Sequence, residues 1–203
     1  MASVEHWEHV YGTKAPDEVS WYQEVPLLTL RLIAETQLDV DAPIIDVGGG
    51  ASNLADCLLR AGYRNITVLD IAEAALDHAR ERLGEDAARL KWIHGDVTSA
   101  PLGGPYALWH DRAVFHFMVR PETRAAYRAQ LLAHLRPAGT VVMATFGLEG
   151  PDRCSGLPVE RYSAESLARE LGPELELVRA VDDVHTTPRG TPQAFLHCVF
   201  RRR

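Results

Sequence analysis

The sequence has few cysteines, no long apolar run and no excess of basic residues, and each shortage excludes a class of protein. Its three cysteines, Cys57, Cys154 and Cys198, are too few and too far apart in 203 residues for a disulfide framework or a zinc site. No apolar stretch approaches the roughly 20 residues that span a membrane. We therefore expect a soluble protein with reduced thiols and no structural metal.

Acidic residues outnumber basic ones by 28 to 21, for a formal net charge of −7. Proteins that bind nucleic acid largely through its phosphates need positive charge, so this balance argues against a nucleic-acid partner. The first residues, Met1 to His6, include neither the basic nor the apolar part of a secretory signal, which predicts a cytoplasmic protein. The length fits one domain, 1–203, and leaves the oligomeric state open.

Short apolar segments alternate with helical patterns along most of the chain. The first, 43–47, ends in glycines, as is typical of a buried parallel strand that turns into a helix. The alternation predicts a three-layer, Rossmann-like α/β sandwich over 41–203, preceded by a helical lid over 1–40. The other predicted strands are 66–70, 90–94, 106–110, 140–145, 175–181 and 195–200, and the predicted helices are 52–61, 72–83, 121–135 and 163–171.

Glycines and carboxylates that could contact a ligand lie at the ends of the first two predicted strands. Ligands of an open parallel sheet bind beyond the carboxyl ends of its strands. Gly48, Gly49 and Gly50 allow the backbone to approach a ligand closely. Asp46, just before them, offers a carboxylate to a charged amino group, and Asp70, after the second strand, is placed to accept hydrogen bonds from ribose hydroxyls.

The next strand ends extend this pattern. We expect Asp96 to bond an adenine amino group and Val97 to pack on the face of the ring, and we expect Ile71 and His110 to line the same cofactor site. Each acid alone could instead cap a helix or close a turn. Their order on successive strand ends favours binding of a nucleoside-bearing cofactor.

The chain resembles class I S-adenosylmethionine-dependent methyltransferases in four segments, namely 46–52, 69–70, 95–97 and 135–139. The resemblance implies S-adenosylmethionine as the cofactor and a mostly parallel seven-stranded sheet, in the order 3-2-1-4-5-7-6, that ends in an antiparallel hairpin. It places Asp46 near the methionine amino group, Asp70 on the ribose and Asp96 at the adenine. Ser52 departs from the family, in which many members have glycine there, and could instead cap the following helix.

A nicotinamide-dependent dehydrogenase is the alternative that the glycine turn leaves open. Its fingerprint requires a third glycine where this chain has Asn53. The turn at 136–139 also favours the methyltransferase.

The fourth predicted strand is followed by a dense charged segment. His116 has an ordinary pKa suited to general-base catalysis, and Arg112 could hold an anionic substrate or pair with Asp111. We therefore name Asp111, Arg112 and His116 as candidate catalytic residues. The alternative is structural, with Asp111 and Arg112 as an ion pair and His116 as a core residue. No further ligand at a suitable spacing joins His110 and His116, so we predict no metal site.

Aromatic residues are frequent before the first strand. We expect Trp21 to contact the cofactor, because aromatic faces attract a cation such as the sulfonium. The alternative is that the aromatic side chains dock a helix on the sheet.

The acceptor is predicted from two weaker resemblances. Segments 109–113 and 153–158 resemble thiopurine S-methyltransferase and related thiol methyltransferases, whereas 7–11, 21–22 and 66–70 are similar to elongation-factor lysine methyltransferases. The chain has no separate recognition domain, and the predicted loop 147–158 is long enough to close over a small pocket. We expect a small-molecule acceptor, with sulfur ahead of oxygen or nitrogen; the alternatives are a protein lysine N-methyltransferase and a non-catalytic S-adenosylmethionine-binding protein.

Overall fold

The computed structural model describes residues 4–203, so Met1–Ser3, at the start of the predicted lid, lie outside the described residues. The helices are α1 (Val4–Thr13), α2 (Leu27–Glu35), α3 (Leu54–Arg60), α4 (Glu73–Leu83), α5 (Pro121–His134) and α6 (Ala164–Leu171). The strands are β1 (Ile44–Val47), β2 (Ile66–Asp70), β3 (Lys91–His94), β4 (Tyr106–Arg112), β5 (Leu135–Phe146), β6 (Arg153–Cys154), β7 (Leu157–Pro158), β8 (Leu175–Thr186) and β9 (Pro192–Arg202).

Seven strands form one sheet in the order β3-β2-β1-β4-β5-β9-β8. The first five are parallel, and β9 runs antiparallel to both β5 and β8. With the small β6–β7 hairpin left out, this is the order 3-2-1-4-5-7-6. The predicted fold class is therefore confirmed.

Helices cover both faces of the sheet, which explains why the central strands are buried and mostly apolar. Every residue of β1 and β2 is buried. One face packs against α5 and α6 through side chains such as Tyr127 and Leu167, and the other against α2, α3 and α4 through Leu32, Leu58 and Leu76. No helix in the part of the chain that the structure describes is long and apolar enough to cross a membrane.

The strands of the second half extend further than predicted. β4 continues to Arg112 instead of ending at His110, because Asp111 and Arg112 pair with Met143 and Ala144 of β5. The C-terminal hairpin is also longer, with pairing from Leu175↔Arg202 to Thr186↔Pro192, although an apolar pattern covers only part of it. Its outer positions face solvent, so polar residues occupy them without breaking the strand.

Two predicted local features are only partly confirmed. Ser52 lies one residue before Asn53, the N-cap residue of α3, and its hydroxyl accepts a hydrogen bond from the Leu54 amide at 3.1 Å, so it closes the turn into the helix without being the cap itself. The predicted loop 147–158 is only partly irregular, because β6 and β7 pair within it.

The N-terminal helix is attached to α4. The carboxylate of Glu8 accepts hydrogen bonds from the amides of Glu73 at 2.6 Å and Ala74 at 3.3 Å, where the unpaired amides of a helix start favour a negative charge. The carbonyl oxygen of Tyr11 also lies 2.8 Å from Nε2 of His78. These contacts place α1 over the carboxyl end of the sheet; its movement as a lid stays a prediction.

A buried hydrogen-bond chain joins β4 to α5. Nε1 of Trp109 donates to the Tyr127 hydroxyl at 2.9 Å, and that hydroxyl donates to Oδ2 of Asp111 at 2.6 Å. The Asp111 carboxylate also accepts from the amides of Val114 and Phe115. Because all three side chains are fully buried, water cannot replace a lost partner.

We expect Tyr127→Phe to lower the free energy of unfolding by about 2 to 3 kcal/mol, because it removes a hydrogen bond to a carboxylate and leaves the Trp109 indole unpaired. Urea denaturation measures this loss. Tyr63→Phe is the matched control, a buried tyrosine outside this network, and should cost less than about 1 kcal/mol. Equal losses in the two variants would contradict the role of the chain.

Candidate active site

A cavity of about 750 Å³, part of it open to solvent, lies at the carboxyl ends of β1, β2 and β4. A second cavity of about 570 Å³ adjoins it and shares Tyr11, Trp21, Val47, Gly48 and Arg112 with it. The two cavities therefore form one elongated site along the strand ends.

The glycine turn begins where the two cavities meet, because Gly48 lines both of them, whereas Gly49 and Gly50 are among the lining residues of neither. Gly48 has a φ of +68°, and its amide and that of Gly49 donate to the carbonyl oxygen of Leu69 at 2.7 and 3.2 Å. A Cβ at Gly48 would lie 2.2 Å from Cγ2 of Val114, and one at Gly50 would lie 2.6 Å from Cβ of Ala75. Only glycine fits this close approach of the backbone.

Asp70 is held beside this turn. One carboxylate oxygen accepts from the Gly50 amide and the other from the Ala72 amide, each at 3.0 Å. Burial raises the pKa of Asp70 to about 6. The side chain lines the larger cavity, and carboxylate oxygens can accept further hydrogen bonds, as from ribose hydroxyls.

The end of the larger cavity beyond β3 combines an acid with apolar walls. Oδ1 of Asp96 accepts from both the amide and the hydroxyl of Thr98 at 2.8 Å, which fixes the carboxylate. Ile71, Val97 and Met118 line the cavity around it. This arrangement suits a flat ring that carries an amino group.

Asp46 and His110 form a buried pair in the smaller cavity. Nδ1 of His110 lies 2.6 Å from Oδ1 of Asp46, and the side chains are 5% and 2% exposed. Oδ2 of Asp46 and Nε2 of His110 have no hydrogen-bond partner among residues 4–203. Buried polar atoms without partners are costly, and these two residues line the smaller cavity, from which a ligand could supply the partners.

Comparisons with known proteins agree with this geometry. Residues 44–139 match the family model described as a methyltransferase domain. The match covers a little under half of the chain and includes the strands β1 to β4. The ubiquinone/menaquinone biosynthesis C-methyltransferase of Paracoccus denitrificans is 33% identical over 107 residues, which are 51% of this chain and 42% of that protein.

Two further comparisons extend over more of the chain. The human mitochondrial citrate synthase-lysine N-methyltransferase is 28% identical over 171 residues, 75% of this chain and 70% of that protein. The crystal structure of an S-adenosylmethionine-dependent methyltransferase from Anabaena variabilis superposes with a TM-score of 0.77 at 16% identity, covering 100% of this chain and 96% of the other. The chain thus shares the methyltransferase fold, but it spans less than half the length of the first relative.

The residues at these strand ends would hold the parts of S-adenosylmethionine. The unpartnered oxygen of Asp46 fits the methionine amino group, Asp70 the ribose, and Asp96 with Val97 the adenine. The close-packed glycines leave no side chain in the space between them. Ile71 lines the larger cavity and His110 the smaller one.

Aromatic rings form the wall opposite the glycine turn. Trp7 meets Trp21 and Phe117 edge to face, with ring centroids 5.7 and 5.2 Å apart, and Tyr11 meets Trp21 at 6.1 Å. All four line the larger cavity, so both alternatives for this segment have support: the rings dock the N-terminal segment and also face the ligand space.

Arg112 lines both cavities, at the end of β4. Its Nη1 donates to the carbonyl oxygen of Trp21 at 2.8 Å, and its guanidinium carbon lies 4.7 Å from the centroid of the Phe195 ring. Burial lowers the pKa of Arg112 to about 10, so the group keeps its charge at neutral pH.

Asp111 and Arg112 do not form the ion pair that the sequence suggests. Consecutive residues of a strand point to opposite faces, so Asp111 bonds Tyr127 while Arg112 points to Phe195. Asp111 is not among the lining residues of the larger cavity, and its carboxylate organises the backbone at Val114 and Phe115.

His116 lies in an aromatic cluster behind the cavity wall. Its ring centroid is 4.5 Å from that of Phe117 and 4.7 Å from that of Phe146, and neither ring nitrogen has a partner in the described part of the chain. Burial and the nearby Arg112 charge lower the pKa of His116 to about 3. A base with this pKa is poorly matched to proton transfer at neutral pH.

Sequence reasoning missed several residues that line the larger cavity, among them Phe117, Met118 and Cys154. Phe117 and Met118 directly follow the charged segment, but apolar residues there give no distinct signal. Cys154 belongs to the small β6–β7 hairpin, and only the folding of that segment over the strand ends brings it to the site. Burial raises its pKa to about 12, so it stays a neutral thiol.

We expect the affinity for S-adenosylhomocysteine, the demethylated cofactor, to fall about fivefold to tenfold as the pH drops from 7 to 5, because Asp70 is protonated below its pKa of about 6. Protonation removes a charged acceptor for ribose hydroxyls. A raised pKa means that it does not itself destabilise the free protein, so the loss concerns binding.

Isothermal titration calorimetry across this pH range measures the effect. Asp70→Asn should bind more weakly and lose most of the pH dependence, whereas Asp86→Asn, at an exposed position, should keep the original profile. A pH dependence that persists unchanged in Asp70→Asn would rule out this assignment.

Proposed function

We propose that this protein transfers the methyl group of S-adenosylmethionine to a small molecule. The observation that carries the proposal is the enclosed end of the larger cavity, where Trp7, Trp21, Phe117 and Cys154 surround a space next to the glycine turn. A cavity walled by aromatic and other apolar groups excludes water and suits a small acceptor.

The cofactor, when bound, supplies a methyl group that its sulfonium has already activated. The chain then has three tasks: Asp46, Asp70 and Asp96 hold the cofactor, the aromatic wall excludes water, and the acceptor is aligned for in-line attack. Alignment alone can provide much of the rate enhancement, so the reaction does not require a strongly basic side chain.

The choice of acceptor atom rests on the titratable groups near the enclosed end. Burial raises the pKa values of Tyr11 and Cys154, so neither takes up a proton, and that of His116 is lowered. Without a matched base, an acceptor that loses its own proton near neutral pH is favoured. Thiols ionise near pH 8.5, whereas phenols and alkylamines need about pH 10, so we favour sulfur. The resemblance of 109–113 and 153–158 to thiol methyltransferases supports the same choice.

Lysine N-methylation is the second candidate, because the relative with 171 aligned residues is a citrate synthase-lysine N-methyltransferase. A lysine acceptor needs acidic or aromatic groups around its ammonium. The aromatic groups are present at Trp7, Trp21 and Phe117, but the charged group beside them is Arg112.

A labelled-methyl assay separates these functions. With labelled S-adenosylmethionine, we expect product from small thiols or sulfide and less from phenols and amines. Labelled protein bands from a cell extract without a small-molecule product would establish the lysine alternative instead. Cofactor binding without turnover on any acceptor would indicate a non-catalytic binding protein.

A matched pair of glycine variants controls this assay. Gly50→Ala places a Cβ 2.6 Å from Cβ of Ala75 and 2.8 Å from Oδ2 of Asp70, so it should lose most of the activity. Gly12→Ala adds a Cβ with no atom within 4 Å and should keep it.

We expect His116→Phe to keep turnover within about twofold, because His116 lies behind the wall and is a poor base. The substitution should also raise the free energy of unfolding by about 1 kcal/mol, since it removes buried polar atoms that lack partners. Turnover and urea denaturation are the measurements. Lost turnover at unchanged S-adenosylhomocysteine affinity would restore His116 to the mechanism.

A further inference from the structure

The enclosed end of the larger cavity has one charged lining residue among residues 4–203, which is Arg112. The acids that line the same cavity, Asp70 and Asp96, lie at the ends of β2 and β3, where the nucleoside is expected. The lining of the enclosed end is therefore apolar and cationic.

The charge of Arg112 is incompletely compensated. Its Nη1 donates a hydrogen bond to a backbone carbonyl oxygen, and its Nε is buried without a partner. None of the ion pairs within residues 4–203 includes Arg112. A buried guanidinium is costly unless an anion accompanies it. Its pKa of about 10 keeps it protonated despite that cost.

The surrounding titratable groups do not neutralise this charge. Burial, and to a smaller extent the charge of Arg112, lowers the pKa values of three histidines, so these rings stay neutral: His116, His185 and His197. Asp183 is the carboxylate that most favours the charged guanidinium, but it is partly exposed, and its Oδ2 lies 3.6 Å from Nε2 of His197. An anion bound in the cavity would supply the missing partner.

We propose that the acceptor carries a carboxylate group, which binds Arg112 while the apolar part of the acceptor packs against Trp7, Trp21 and Phe117. This inference rests on the proposed function and narrows its substrate class. A guanidinium matches the planar geometry of a carboxylate, and such charge-assisted hydrogen bonds are strong when water is excluded. The same charge repels an ammonium, so lysine and small cationic amines are poor ligands of this end.

The experiment compares three ligands of similar size that differ in charge: phenylacetate, 2-phenylethanol and phenethylamine. Each is titrated into the full-length protein saturated with S-adenosylhomocysteine, and the fluorescence of Trp7 and Trp21 in the cavity wall reports binding. We expect phenylacetate to bind at least tenfold more tightly than the alcohol and phenethylamine to bind most weakly. Equal affinities, or a preference for the amine, would overturn the proposal without the need for any variant.

Three arginine variants test whether Arg112 causes the preference for phenylacetate. Arg112→Met should weaken phenylacetate binding at least tenfold with little change for the alcohol, whereas Arg31→Met, at an exposed arginine of α2, should leave both unchanged. Arg112→Lys keeps the charge and should bind phenylacetate more tightly than Arg112→Met. An unchanged phenylacetate affinity in Arg112→Met would contradict the inference.

Titration of S-adenosylhomocysteine alone separates this inference from the proposed function. No saturable binding to the unmodified protein would overturn the proposed function itself. A tenfold loss of that affinity in Arg112→Met would assign Arg112 to the methionine carboxylate and overturn only the acceptor proposal.

Discussion

The hydrogen bonds that Asp70 accepts from two backbone amides hold the cofactor side of the site together. One donor, Gly50, belongs to the turn after β1, and the other, Ala72, directly precedes α4. Burial excludes competing water from both bonds, which strengthens them. These two bonds fix the distances between the glycine turn, the end of β2 and the start of α4. The cavities beside them keep their shape because this spacing is constant.

Side chains alternate between the two faces of β4, so the residue with a structural role and the residues that line the cavities point in opposite directions. Asp111 points toward α5, where Tyr127 and two backbone amides satisfy it completely. Arg112, the next residue, points to the opposite face and reaches the space under the N-terminal segment. His110, two residues earlier on that face, pairs with Asp46. In the proposed function, this strand supplies a rigid support through Asp111, a partner for Asp46 through His110 and a cation for the acceptor through Arg112.

The sheet and the positions of the cofactor residues were predictable because their signals are local. A short apolar run followed by glycines, and acids directly after two further strands, depend only on neighbours in the chain. The limits of β4, β8 and β9 were less predictable, because pairing with an adjacent strand extends them through polar residues. Cys154 reaches the cavity only through the β6–β7 hairpin, which has no clear pattern in the sequence.

By itself, the sequence determined the class of fold, the glycine turn and the order of the acids along the strand ends, since these follow from residue type and spacing. Tertiary structure alone decided which charged residues face the ligand. Asp111, Arg112 and His116 lie within six consecutive residues, yet their partners are Tyr127, Trp21 and Phe146, from distant segments. Burial and partner choice set the pKa and the accessibility of each group, and both arise only when those segments pack together.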